Sequence, residues 1–128
     1  MNTHLVSLHE ELQMLHSYEE LIQMRFGKAI QVNFPEERSG MLPPLAIQLL
    51  VENAIKHNAH SLKHPLVVDI RSCDGYLLIS NKIQPLSSNI DSTGLGLSNL
   101  RERYQLLFGR EIEVVDNDQT FTVKRPVL

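Results

Sequence analysis

The stretch Leu42-Pro43-Pro44-Leu45-Ala46-Ile47-Gln48-Leu49-Leu50-Val51-Glu52-Asn53-Ala54-Ile55-Lys56-His57 decides how the chain is put together. Proline fixes φ near the helical value and carries no N–H, so a proline pair belongs at a helix start, and the pattern predicts a helix over about 44–60. Asn53, Lys56 and His57 are spaced three and four apart and share one face of that helix. An amide oxygen, a cation and an imidazole converge there. Mg²⁺ prefers oxygen ligands, keeps several waters and is usually completed by substrate phosphates, so this trio suits a metal-triphosphate site. A solvated helix face has the same spacing, and spacing alone leaves both readings open.

Upstream, the apolar positions Leu8, Leu12, Leu15, Tyr18, Ile22 and Phe26 recur at three and four, which predicts a helix over about 5–26. Ser7 to Glu10 fits a capping box at its start and Gly27 a stop at its end. A short extended piece, Ala29 to Phe34, follows. Downstream, Leu66 to Ser72 alternates apolar and polar residues, Asp74-Gly75 is a favoured hairpin turn, and Tyr76 to Ser80 returns as the partner strand. From Asn81 to Leu97 the pattern dissolves into a loop long enough to act as a lid. A third helix is expected over about 98–108, ending at Gly109, and two last strands over 111–115 and 120–124, joined by the polar turn 116–119. Hairpins with helices set between them predict an α+β two-layer sandwich, a mixed, largely antiparallel sheet covered on one face by helices.

The 128 residues suit one compact unit, and 42% hydrophobic residues are enough for a core. Twelve Lys and Arg against fifteen Asp and Glu, net charge −3, give no positive field for a nucleic-acid backbone. The single cysteine, Cys73, excludes an intramolecular disulfide and a Cys-rich zinc cluster, and it points to a reducing, cytosolic compartment. No window reaches the ~20 apolar residues of a membrane span, and the first residues lack the order of a secretory signal. No membrane contact is expected of this stretch of chain.

A second segment, Ser92-Thr93-Gly94-Leu95-Gly96-Leu97-Ser98-Asn99-Leu100, places two glycines directly before a helix start. Glycine lets backbone N–H groups turn toward a ligand and the helix end favours an anion, so the segment is a candidate phosphate cradle. It lacks the third glycine of a dinucleotide fingerprint and the GK[ST] ending of a P-loop.

The two segments together, PPLAIQLLVENAIKH at 43–57 and TGLGLSNLRERYQLLFG at 93–109, resemble the catalytic, ATP-binding domain of sensor histidine kinases, in the LytS-like branch. There an N-box of the form PPLxLQxLVENAIKH precedes a GxGLxNxRERLxLLYG segment, and LHEELQMLHSYEELIQMRFG at 8–27 is similar to that branch's linker helix. The resemblance implies a Bergerat (GHKL) fold, with residues 1–27 leading into an ATP-binding domain over 28–128. It implies that Asn53 coordinates Mg²⁺ through its side-chain oxygen, that Lys56 and His57 approach the phosphates, and that Glu52 orients a water or the metal shell. Gly94 and Gly96 would form the turn beside the triphosphate, lined by Thr93, Leu95 and Leu97. ATP and Mg²⁺ are the implied ligands, and the implied partners are a histidine-bearing dimerisation domain and a downstream response regulator. The implied place is the cytoplasmic side of a membrane-anchored kinase.

Two departures bear on that expectation. The family's DxGxG segment, whose Asp reads the adenine amino group, is replaced by Ile79-Ser80-Asn81-Lys82-Ile83-Gln84-Pro85, leaving Asn81, or Ser80 in the other register, as a neutral acceptor. The PHFLFN-like phosphoacceptor segment does not occur, so the expected reaction presents the γ-phosphate to a histidine elsewhere. Hydrolytic relatives carry a catalytic Glu four residues before the Asn, where this chain has Leu49. The competing reading is a degenerate domain that keeps the fold and serves as an interaction or dimerisation module. His57, His60 and His64 have a zinc-like spacing that nothing nearby completes. His9, His16 and Cys73 are read as ordinary surface residues.

Overall fold

A computed structural model describes residues 5–42, 44–85, 113–116 and 119–127. Strand β1, Val6–Ser7, precedes helix α1, Leu8–Phe26. The helix starts three residues later than its apolar spacing predicts because Val6 and Ser7 are already committed. They pair antiparallel with Leu42 and Met41, and the Leu8 N–H donates to the Gly40 carbonyl at 2.9 Å. Ser7 is the N-cap, its hydroxyl accepting from the Glu10 N–H at 3.1 Å, as the capping pattern predicts. The other end stops at Gly27, whose φ of +61° is costly for any residue with a Cβ.

A single 3₁₀ turn, Gly27–Ala29, leads into β2, Ile30–Asn33, and then β3, Met41–Leu42. Helix α2, Ala46–His57, is shorter at both ends than the expected 44–60. Its start is delayed by Leu45, which sits in the left-handed region at φ 63°, and its end is set by Asn58, whose extended backbone breaks the helix. The hairpin forms as expected from β4, Leu66–Cys73, and β5, Tyr76–Lys82. Asp74 and Gly75 both have positive φ, 48° and 81°, the signature of the tight turn this dipeptide favours. The second strand runs two residues beyond the predicted Ser80, because Asn81 and Lys82 continue pairing with Phe121 and Thr120. The lid-like loop expected from Asn81 therefore starts later, and its residues 86–97, with the third helix expected at 98–108, lie outside the described residues. The last strands are β6, Glu113–Asp116, and β7, Thr120–Pro126.

The main sheet has the order β2-β4-β5-β7-β6. Only β2 and β4 run parallel, the connection between them being made through α2; every other neighbour is antiparallel. This is the mixed, largely antiparallel two-layer arrangement that the sequence predicts. Alternate residues of β4, β5 and β7 face the helices, and Leu66, Val68, Ile70, Leu77, Ile79 and Val123 join Leu12, Leu15, Ile47 and Val51 in one core.

The buried carboxylate of Glu11, on α1, accepts a hydrogen bond from the Leu45 N–H just ahead of α2. Burial pushes its pKa up from the ordinary 4.5, the Leu45 N–H pulls it down, and Glu10 adds a smaller push upward.

Candidate functional site

The second layer leaves a cleft between α2 and the end of the sheet where β5 finishes. Leu50, Asn53, Ala54 and His57 form its helical wall, and Ile79, Asn81, Phe121 and Val123 its sheet wall, with Asn58 and Ile83 at the edge. Three of the residues singled out by type and spacing, Asn53, His57 and Asn81, thus meet in one cleft although 28 positions separate the first from the last.

Asn53 lies on the side of α2 next to the buried Leu50 and Ala54. Its Nδ2 donates to the Leu49 carbonyl at 3.0 Å, which leaves Oδ1, the metal-binding atom of an amide, without a partner among the described residues. Asn81 is buried, and its Nδ2 donates to the Lys82 carbonyl at 2.9 Å, so its Oδ1 too remains an acceptor. The β5 register settles which side of the strand faces the cleft. Leu77, Ile79 and Asn81 point inward, and Ser80 sits on the opposite face.

Lys56 is exposed in the last turn of α2 and does not line the cleft. Glu52 faces elsewhere. It accepts from Gln48 Nε2 at 3.0 Å, and its charge, after burial, helps raise the pKa of the Tyr18 phenol on α1. Thr93, Gly94, Leu95, Gly96 and Leu97 lie outside the described residues.

The cleft also contains residues that the sequence reading passed over. Phe121 and Val123 supply apolar wall from a strand forty residues beyond Asn81, and Asn58 is buried at the C-terminus of α2. The only signal for the first two is strand alternation, which marks them as inward-facing without saying against what.

Among the described residues no three His, Cys, Asp or Glu side chains are grouped to hold a metal. His60 instead packs edge-on against Phe26, with ring centroids 4.8 Å apart. His16 stacks on Phe34 at 3.7 Å with its Nδ1 3.6 Å from Glu19. Among the described residues no helix is long and apolar enough to cross a membrane.

Among the described residues two helices cover a mixed five-stranded sheet, and this fold matches that of histidine kinase catalytic domains. The catalytic domain of histidine kinase ThkA superposes with a TM-score of 0.54 at 15% identity, covering 99% of this chain and 97% of that one. The cytoplasmic segment of histidine kinase QseC gives 0.55 at 17%, covering 100% and 80%. By sequence the chain is similar to LytS sensor histidine kinases, as its two motif segments suggest. It is 34% identical over 126 residues to the sensor protein LytS of Staphylococcus saprophyticus, and 30% identical over 127 residues to the sensor histidine kinase/phosphatase LytS of Staphylococcus aureus. These alignments cover 83% and 84% of this chain but 21% and 22% of the relatives, so the chain spans about a fifth of their length. No protein-family model matches.

Proposed function

We propose that the chain is the ATP-binding catalytic domain of a sensor histidine kinase, which presents the γ-phosphate of Mg-ATP to a histidine on a separate upstream domain. The observation that carries this is the convergence of Asn53, His57 and Asn81 on one cleft with apolar walls. Ile79, Phe121 and Val123 offer apolar contact suited to a purine, and Asn81 Oδ1 is an acceptor for its amino group. Asn53 Oδ1 would hold Mg²⁺, with His57 and the long side chain of Lys56 toward the phosphates.

The fit to the metal is specific in one respect. Among the described residues lining the cleft there is no carboxylate, so the protein offers Mg²⁺ a neutral oxygen and leaves most of its coordination to phosphate and water. When bound, the metal would neutralise charge on the β- and γ-phosphates. The chain's own residues position and orient, which is most of what phosphoryl transfer requires. The phosphorus–oxygen bond to ADP breaks as the acceptor histidine nitrogen bonds the γ-phosphorus. Gly94 and Gly96, with Thr93, Leu95 and Leu97, are proposed as the cradle beside the triphosphate. A response regulator is the proposed downstream partner, and the cytoplasmic face of a membrane-anchored kinase the proposed location.

Calorimetric titration of the folded chain with ATP up to millimolar concentration tests this. Saturable binding that requires Mg²⁺ is the expected result, together with no heat from Mg²⁺ alone. A folded sample that binds no nucleotide overturns it.

A further inference from the structure

The cleft has two walls on different elements, and one small polar cluster fixes their separation. Asn58, the residue that ends α2, is 8% exposed and uses both ends of its amide. Its Nδ2 donates to the Ala54 carbonyl in the last turn of α2 at 2.8 Å, and its Oδ1 accepts from the Gln84 N–H at 2.9 Å. Gln84 follows β5 by two residues and is three residues beyond Asn81. It makes three further bonds back to the segment after α2. Its carbonyl accepts from the Ala59 N–H at 2.7 Å, and its Nε2 donates to the Ala59 carbonyl at 2.7 Å and to the His64 carbonyl at 3.3 Å. The helix end carrying Asn53 and His57 is therefore riveted to the strand end carrying Asn81, across a join where neither element pairs with the other as a strand would.

We propose that Asn58 is a positioning residue for nucleotide, holding the metal- and phosphate-facing wall of the cleft at the distance from the base-facing wall that a whole Mg-ATP must span. The proposal rests on the nucleotide reading above. Its physical basis is that a ligand touching both walls gains from their spacing being set before it binds, whereas a ligand touching one wall does not. The two bonds need a donor and an acceptor at one buried point, and the Asn58 amide supplies both. Alanine leaves the Ala54 carbonyl and the Gln84 N–H without the partner they have now.

The test compares Mg-ATP with adenosine on wild type and Asn58→Ala, with Gln84→Ala as a milder variant that keeps the bonds of the Gln84 backbone to Ala59 and Asn58. Asn58→Ala is expected to weaken Mg-ATP about tenfold, the scale on which supporting polar partners act, while adenosine affinity stays within about twofold. Gln84→Ala should fall between wild type and Asn58→Ala. Amide hydrogen exchange gives a readout independent of ligand: the Gln84 N–H should lose protection in Asn58→Ala while the β4 and β5 amides keep theirs. Equal losses for Mg-ATP and adenosine, or no loss for either, would overturn the positioning role. If wild type binds neither ligand, the nucleotide reading itself fails and this inference goes with it. If Asn58→Ala loses protection throughout β4 and β5, Asn58 is a general fold determinant and the inference is wrong.

Discussion

Asn53 and Glu52 are neighbours in sequence and turn to different faces of one helix. Asn53 lines the cleft with a carbonyl oxygen that has no partner among the described residues, and Glu52 bonds Gln48 and sits near Tyr18 of α1. Asn53→Ala should raise the dissociation constant of Mg-ATP about tenfold or more and remove its Mg²⁺ dependence, whereas Glu52→Gln should leave affinity within about twofold. Titration of both variants with and without Mg²⁺ checks this, and a larger loss in Glu52→Gln would mean that the carboxylate swings into the cleft. At this scale the sequence was most legible where side-chain type carries chemistry. Asn53, His57 and Asn81 stand out by donor set, by helical spacing, and by resemblance. Asn58 did not, because an asparagine at the end of a helix looks like any other until Gln84, 26 residues later, is seen against it.

Helix and strand positions were legible from periodicity, and their ends were not. Helix α1 begins late because β1 takes its first residues, and α2 begins late because Leu45 turns left-handed while its N–H bonds Glu11. Both causes are non-local, which no window of residues reveals. The Glu11 contact between the two helices also carries a pH signature. Burial outweighs the Leu45 N–H and raises the folded-state pKa above 4.5, so the folded chain holds the proton more tightly than the unfolded one. This contribution to stability is fully present below the ordinary carboxylate value and is lost as pH rises through the raised one. Glu11→Gln, which keeps an oxygen for Leu45, should abolish that decline and leave stability at neutral pH unchanged or higher. Melting curves of the two proteins between pH 4 and pH 8 decide it. A variant markedly less stable at neutral pH would show that the charged hydrogen bond to Leu45 wins over desolvation.

At the scale of the whole molecule, α1 is a wall of the core. Leu8, Leu12 and Leu15 are at most 1% exposed and belong to the same cluster as α2 and the sheet. Leu12→Ala should cost about 2–5 kcal/mol, measured by urea unfolding, and a cost near zero would mean that α1 is only loosely docked. The layer architecture followed from pattern, since hairpins and amphipathic helices admit few ways to cover one another. The cleft did not, because its walls come from α2, β5 and β7, and β7 joins them through pairing with β5 across some forty residues of chain. Cys73, the sole sulfhydryl, is exposed beside the Asp74–Gly75 turn and belongs to neither wall of the cleft. It pairs with Tyr76 at the start of β5, whereas Asn81 sits five residues further along, about 17 Å away. A maleimide fluorophore attached there would tag every molecule at one known point, away from the proposed nucleotide site and near enough to it for energy transfer to a labelled ATP analogue.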